Sequence, residues 1–373
     1  MSRKILVTGG AGFVGSHTVD ALLREGHAVR VFDNLDEQVH RNGVPAYLSR
    51  EVDFVRGDVR DLEAMRKAVC GVDVIYHFAA AVGVGQSMYE IARYMGTNTQ
   101  GTANLLQALL DRGGSGLEKL VIASSMSIYG EGQYRCEQHG MVAPPLRPAA
   151  QLRAKQWHVA CLQCGLPLAP VATREEKPLQ CSSIYALGKK DQEEMCLLFG
   201  RTYNVPVVAL RYFNIYGTRQ ALSNPYTGVA AIFASRLLNR RAPLIFEDGE
   251  QLRDFVSVHD VVQANLLAML HSGADGLALN IGSSEPVNIR QVAETLTSTL
   301  GLQIPAEITG RYRAGDIRHC YGDISLAQQR LGYRPQYRLQ SAVGELVEWL
   351  RSQSAVDRVE EASSHLVSFG LTA

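Results

Sequence analysis

Thr8-Gly9-Gly10-Ala11-Gly12-Phe13-Val14-Gly15 follows the apolar run Lys4 to Val7 and opens a stretch of helical periodicity from Gly12 to Glu25. Glycines 9, 12 and 15 make a Gly-x2-Gly-x2-Gly pattern. Such glycines permit a tight turn and a close backbone approach by a ligand, and the helix N-terminus that follows favours an anionic group such as a pyrophosphate. The order strand, turn, helix predicts the first unit of a doubly wound parallel sheet, with a ligand crevice at the carboxyl ends of its strands.

Working outward, short β-branched runs alternate with helical patterns. Strands are predicted at Lys4 to Val7, Ala28 to Phe32, Asp53 to Arg56, Val74 to His77, Lys119 to Ala123 and Val207 to Leu210. Helices are predicted at Gly12 to Glu25, Asp61 to Val69, Asn98 to Asp111 and Ser183 to Tyr203. The fold class is therefore α/β, a Rossmann-type parallel sheet over residues 1–217, with residues 131–182 as an insertion. Beyond it the pattern loosens into helices at Val229 to Arg240, Val261 to His271, Ile289 to Leu300 and Ala342 to Leu350, with short strands near Leu244 and Phe255. Residues 218–351 read as a smaller α/β substrate lobe, some elements of which cross back, and 352–373 as a polar, frayed tail.

Asp33 directly follows the second strand, 18 residues beyond Gly15. A carboxylate there can accept hydrogen bonds from both adenosine ribose hydroxyls and repels a 2′-phosphate, so NAD is expected over NADP. Gly9, Gly12, Phe13, Val14 and Gly15 form the expected turn, and Asn34 adjoins Asp33. Asp58 and Val59 after the third strand, and Phe78, Ala79 and Ala80 after the fourth, fall at the same sheet edge.

Tyr185 and Lys189 are four apart on a predicted helix and share a face. A phenol has an ordinary pKa near 10, and a neighbouring ammonium lowers it by stabilising the phenolate. Ser125, at the end of the fifth strand, is placed to hydrogen-bond the reacting oxygen.

Lys plus Arg number 37 and Asp plus Glu 37, a formal net charge of zero. A protein that tracks nucleic acid or anionic lipid shows a basic excess, so neither partner is expected. No apolar run approaches the roughly 18 residues of a membrane span, and no secretory signal follows Met1. Seven cysteines without such a signal predict a reducing cytoplasm rather than a disulfide framework.

Together, Thr8 to Gly15, Asp33, Asp58, Phe78 to Ala81, Asn98, Ser124 to Gly130, Tyr185 to Lys189 and Arg211 to Gly217 resemble the extended short-chain dehydrogenase/reductases of the nucleotide-sugar epimerase and dehydratase group. Later matches are Arg253 to Val256 with His259-Asp260, Asn280 to Gly282, and Arg313 to Asp316. The resemblance implies that Ser125, Tyr185 and Lys189 handle a substrate hydroxyl and that Asn98 and Tyr212 join the NAD-binding residues. It further implies that Ser127, Asn214, Arg253, Arg313 and Asp316 hold a nucleotide-diphosphate sugar, the arginines on its phosphates. Relatives that eliminate water carry Asp-Glu after the catalytic serine or threonine, and decarboxylating ones keep a Glu, whereas this chain has Met126-Ser127. The expected reaction is therefore reversible oxidation at C4, rotation of the ketosugar and re-reduction on its other face. A homodimer is also implied, through helices near Asn98 and Tyr185.

Gly130 and Tyr185 are separated by 54 residues, and the link holds Cys136-x2-His139, then 21 residues, then Cys161-x2-Cys164. Two such knuckles each present two ligands from a tight turn, so Cys136, His139, Cys161 and Cys164 are expected to bind a structural zinc, with Cys181 and His158 as spare ligands. The insertion resembles that of dTDP-L-rhamnose 4-epimerases, which implies conversion of dTDP-L-rhamnose to dTDP-6-deoxy-L-talose. UDP-glucose or UDP-glucuronate epimerisation is the alternative, and 4-ketosugar reduction a second.

Overall fold

The computed structural model describes residues 2–372 except 114, 115, 223, 225, 227, 352, 354 and 355. Seven strands form its central sheet: β1 (Lys4–Thr8), β2 (Ala28–Asp33), β3 (Asp53–Arg56), β4 (Val74–His77), β5 (Lys119–Ser125), β6 (Val207–Tyr212) and β7 (Ala278–Ile281). Their order is β7-β6-β5-β4-β1-β2-β3, and every pairing is parallel. The strand order reverses between β1 and β4, which opens the ligand crevice of a doubly wound sheet there.

The sheet is covered on both faces, as its near-continuous apolar strands require. Along β1, Ile5 and Val7 enter one core cluster and Leu6 the other, the two-residue alternation of a strand. All seven residues of β5 are buried. The expected β1 to β6 are present, each within two residues of its predicted ends.

The seventh strand comes from the second half of the chain. Ala278–Ile281 pairs with β6 in the register Ala278↔Ala209. The helix Val258–Leu270 packs on the sheet as well, since Val261, Ala264 and Ala268 share a core cluster with Val19 and Leu22 of the helix Phe13–Arg24. A strand of four residues after a helix carries too little pattern to be assigned to either sheet by periodicity alone. A separate core, with Phe233, Leu237, Phe255, Val292, Leu296, Val343 and Leu346, holds the smaller lobe.

Residues 359–368, expected to fray, form a helix. Its Ala362 and Leu366 are buried, and Phe369 stacks on Tyr89 with ring centroids 4.9 Å apart and planes 4° apart. A few apolar residues among charged and hydroxyl side chains are a weak signal until a partner surface is present.

Within the insertion, Gln133–Cys136 is the central strand of three, antiparallel to Gly140–Val142 and to Ala169–Val171. No helix among the described residues is long and apolar enough to cross a membrane.

Candidate active site

A cavity of about 760 Å³ opens at the carboxyl ends of the strands, between the sheet and the smaller lobe. Its floor is the glycine turn. Gly9 has φ +68°, and a Cβ there would stand 2.7 Å from the Ala79 nitrogen. A Cβ on Gly15 would overlap the Gly9 carbonyl oxygen. Gly12 differs: its nearest obstacle is the Gly9 oxygen at 3.3 Å, and it lines the cavity, so what its missing side chain leaves free is ligand space.

Asp33 ends β2 on the same wall. Its Oδ2 accepts from the Ala11 amide at 3.0 Å and its Oδ1 from the Leu35 amide at 2.9 Å. Each carboxylate oxygen can accept further bonds, so Asp33 stays able to take ribose hydroxyls. Phe13, Val14, Asn34, Val59, Phe78, Ala79, Ala80 and Tyr212 all line the cavity.

Two residues expected at the cofactor are not among those that line the cavity. Asp58 is absent from the lining; it accepts from Arg60 Nη2 at 2.7 Å and from Asn34 Nδ2 at 3.1 Å. Hydrogen bonding by the Arg60 side chain, the largest influence, holds its carboxyl down to about 2. Asn98 is fully buried and grips Ala81 at both ends: Nδ2 donates to the Ala81 oxygen at 3.1 Å, and Oδ1 accepts from the Ala81 nitrogen at 2.8 Å. A π-helical turn at Met95–Gln100 presents it, a helical irregularity that often accompanies functional sites.

A buried relay supports the floor. Thr102 donates to the Asn98 oxygen at 2.6 Å, so its oxygen must accept from His77 Nε2, 3.1 Å away. His77 Nδ1 is then the acceptor of the Thr8 hydroxyl at 2.8 Å, which leaves Thr8 Oγ1 free to accept from the amides of Phe78 and Ala79. Every hydrogen in the chain has one place to go. Burial, the largest influence, pushes His77 down to about 3, in keeping with this neutral tautomer.

At the far end of β5, Ser125 Oγ accepts from Ser127 Oγ at 2.9 Å. Tyr185 stands over it from the helix Ile184–Tyr203, whose first turn is capped by Ser183. Burial raises the Tyr185 phenol, and hydrogen bonding with Ser125 opposes that rise. Lys189, expected to lower the phenol, is itself pushed down to about 7 by burial. Its Nζ donates to the Ala123 oxygen at 2.7 Å and to Gln192 Oε1 at 2.9 Å. Next to Ser125, Ser124 donates to Glu193 Oε2 at 2.6 Å, and Glu193 pairs with Arg211 on both oxygens, 3.0 and 2.6 Å. This buried set locks the end of β5 to β6.

Ser127, Asn214, Arg253, Arg313 and Asp316 all reach the cavity. Asn214 Oδ1 is buried without a hydrogen-bond partner among the described residues. Arg253 gives Nη1 to the Leu252 and Arg318 oxygens and one Nη2 hydrogen to the Ile317 oxygen, which leaves Nε–H and the second Nη2–H for a ligand. Arg313 donates to Asp316 at 2.8 Å and lies over the Phe246 ring, 4.7 Å from its centroid. Asp254, matched beside Arg253, is structural: its buried carboxylate accepts from the amides of Ser283, Ser284 and Gly322.

Sequence reading missed Tyr94, Arg219, Phe246, Gln251 and the C-terminal Val359, Ala362 and Leu366, which also line the cavity. They come from loops, from the short helix Ile91–Tyr94 and from the last helix, where no spacing marks them.

In the insertion, one ligand atom from each of Cys136, His139, Cys161 and Cys164 lies within 4.8 Å of the others. His139 Nδ1 is 3.5 Å from both the Cys136 and Cys161 sulfurs, and the Cys136 and Cys164 sulfurs are 3.6 Å apart. Three convergent thiol sulfurs and an imidazole nitrogen suit a tetrahedral zinc. Cys181 lies apart, its thiol directed at the Ile128 oxygen, and neither it nor His158 belongs to the group.

The profile of the "NAD dependent epimerase/dehydratase family" matches residues 5–151 and 165–282. This chain belongs to that family. The break in the match, 152–164, falls inside the insertion. The epimerase is 34% identical over 355 residues to a protein of Burkholderia thailandensis described as dTDP-L-rhamnose 4-epimerase, covering 94% of this chain and 96% of that one. It resembles the UDP-glucose 4-epimerase of Thermotoga maritima solved with UDP-glucose, at 31% identity and a TM-score of 0.73 over 94% of this chain and 99% of the other. It likewise resembles the UDP-glucose 4-epimerase of Thermus thermophilus solved with NAD, at 29% identity and a TM-score of 0.74 over 94% and 100%. It is an NAD-dependent epimerase of this group.

Proposed function

We propose that this epimerase inverts C4 of a nucleotide-diphosphate sugar. What carries the reading is the meeting of Ser125, Tyr185 and Lys189 in the cavity of the glycine turn, with Met126 and Ser127 where elimination would need carboxylates. Gly12 and Asp33 would hold NAD, which when bound would supply a reversible two-electron acceptor. Tyr185 takes the C4 hydroxyl proton, Ser125 hydrogen-bonds the same oxygen as it becomes a carbonyl, and Lys189 favours the phenolate when charged. Asn214, Arg253 and Arg313 hold the diphosphate while the 4-keto sugar turns over, and Tyr185 returns the proton.

dTDP-L-rhamnose, giving dTDP-6-deoxy-L-talose, is the favoured substrate, supported by the Burkholderia relative. UDP-glucose and UDP-glucuronate are the alternatives. A 4-ketosugar reductase, which consumes NADPH, is disfavoured by Asp33 on the ribose wall. Incubation with each of the three sugar nucleotides tests this: epimer should form from one of them without net change in NADH absorbance, and conversion of none overturns the reading.

Cys136, His139, Cys161 and Cys164 are proposed to hold one structural zinc. Seven cysteines, all with free thiols, support a cytoplasmic location. Exposed Ile91, Leu187 and Leu198 on the helices around Asn98 and Tyr185 support a homodimer through that face, checked by light scattering.

A further inference from the structure

Besides its four proposed zinc ligands, the insertion carries a buried arginine that the chemistry above does not use. Arg147 is 6% exposed and meets Glu247 of the smaller lobe with both prongs, Nη1 to Oε2 at 2.9 Å and Nη2 to Oε1 at 2.8 Å. The same guanidinium donates to the Trp157 oxygen within the insertion and, from Nη2, to the Asp316 oxygen at 3.2 Å. Asp316 is the partner of Arg313.

A second seam runs beside it. Glu131, at the start of the insertion and fully buried, accepts from the Arg318 amide at 2.6 Å and the Tyr134 hydroxyl at 2.9 Å. Arg318, also fully buried, reaches Glu247 at 3.0 Å and takes Asp248 on both oxygens. The oxygens of Arg318 and of its neighbour Ile317 are the ones that hold Arg253. Tyr134 lies two residues from Cys136, and Trp157 four from Cys161.

We infer that the insertion is a brace for the diphosphate clamp, with Arg147 and Glu131 as positioning residues that fix segment 316–318 and, through it, the guanidinium groups of Arg253 and Arg313. The inference rests on the reading of those two arginines as phosphate ligands. Charges this deeply buried are costly to desolvate, and removing one partner of such a pair is strongly destabilising. The Nη groups of Arg147 and Arg318 both pair with Glu247, although the Nε of each is buried without a hydrogen-bond partner among the described residues, so the pairing ties segment 316–318 to the insertion. On this reading the four-ligand cluster holds the hairpin that aims Arg147, and it takes no part in the chemistry.

Arg147→Met tests it, with UDP and dTDP as probes in calorimetry on the full-length protein. The expected result is about a tenfold or greater weakening of nucleotide binding, the size of a lost charge-assisted hydrogen bond, with bound NAD and metal content unchanged. In turnover, KM should rise while kcat holds. Should Arg147→Met fail to fold, Arg147→Lys keeps the charge without the two-pronged contact and gives the same readouts. Wild-type nucleotide affinity in a folded Arg147 variant overturns the inference, as does loss of NAD in step with the nucleotide. If the wild type binds neither probe, the clamp reading falls and this inference with it.

Discussion

Lys189 Nζ stands 2.7 Å from the Ala123 carbonyl oxygen, one helical turn along from Tyr185. The lysine is thus tethered to the backbone of β5, and burial brings it down to about 7. In the unfolded chain the amine titrates near 10.5. Below about 7 both states are protonated and the burial penalty is fully present. Between 7 and 10.5 the unfolded chain binds more protons, so stability rises with pH, and above 10.5 the difference is gone. Lys189→Met lacks this titration. Relative to that variant, cofactor-stripped wild type should gain about 1 kcal/mol per pH unit from about pH 7 to 9, read by denaturant unfolding.

Tyr185→Phe should lose at least about a thousandfold in turnover while keeping its bound NAD, because the phenol oxygen carries the proton and its ring only lines the wall. Product analysis with the accepted sugar nucleotide, together with cofactor content, checks both halves. Full activity in this variant would end the mechanism.

Two glycines of the turn should fail differently. In Gly15→Ala the methyl overlaps the Gly9 oxygen, so the variant should be destabilised by a few kcal/mol, on the order of an overpacked core. In Gly12→Ala the methyl enters the cavity with the Gly9 oxygen 3.3 Å away, so the fold should hold and bound NAD should fall. Thermal unfolding and cofactor content separate the two.

Glu193→Ala should be strongly destabilising. It strips Arg211 of its two-pronged partner and Ser124 of its acceptor. A buried arginine that loses its charge partner costs about 3–5 kcal/mol, measurable by chemical unfolding, although Arg211 keeps its bonds to the Tyr129 hydroxyl and the Glu175 oxygen.

Protein purified without added metal should contain about one zinc per chain, with loss of the metal in a Cys161→Ser, Cys164→Ser double variant. Elemental analysis that finds none in wild type removes the structural zinc.

The sheet was readable from sequence because its strands are nearly continuous apolar runs, and because glycines 9, 12 and 15 serve backbone geometry that few other residues allow. Tyr185 with Lys189, and Ser125, were readable because helix and strand periodicity place them at one sheet edge. The two cysteine knuckles were readable because ligand spacing is local. β7 and the helix 359–368 were not, since what fixes them is a partner surface contributed by distant chain. Asp58 and Asn98 fell at the expected edge, yet their side chains turned to Arg60 and Ala81, and a strand-end position does not set rotamer direction. Arg147 gave no signal at all: its partners, Glu247 and Asp316, lie 100 and 169 residues away.

The insertion leaves and rejoins the main fold at neighbouring points. The Gln180 amide donates to the Ile128 oxygen at 3.0 Å, and Gly130, at φ +66°, has no room for a Cβ against the Gln180 oxygen. The parent chain therefore sees the intervening residues as a closed loop whose ends already touch. Loop-closure entropy grows only slowly with length, so a graft of this size costs the sheet little, and the same doorway would accept a module of another kind. What such an exchange would have to replace is the hold on residues 316–318, together with the partners that buried Glu247 and Arg318 find in Arg147 and Glu131.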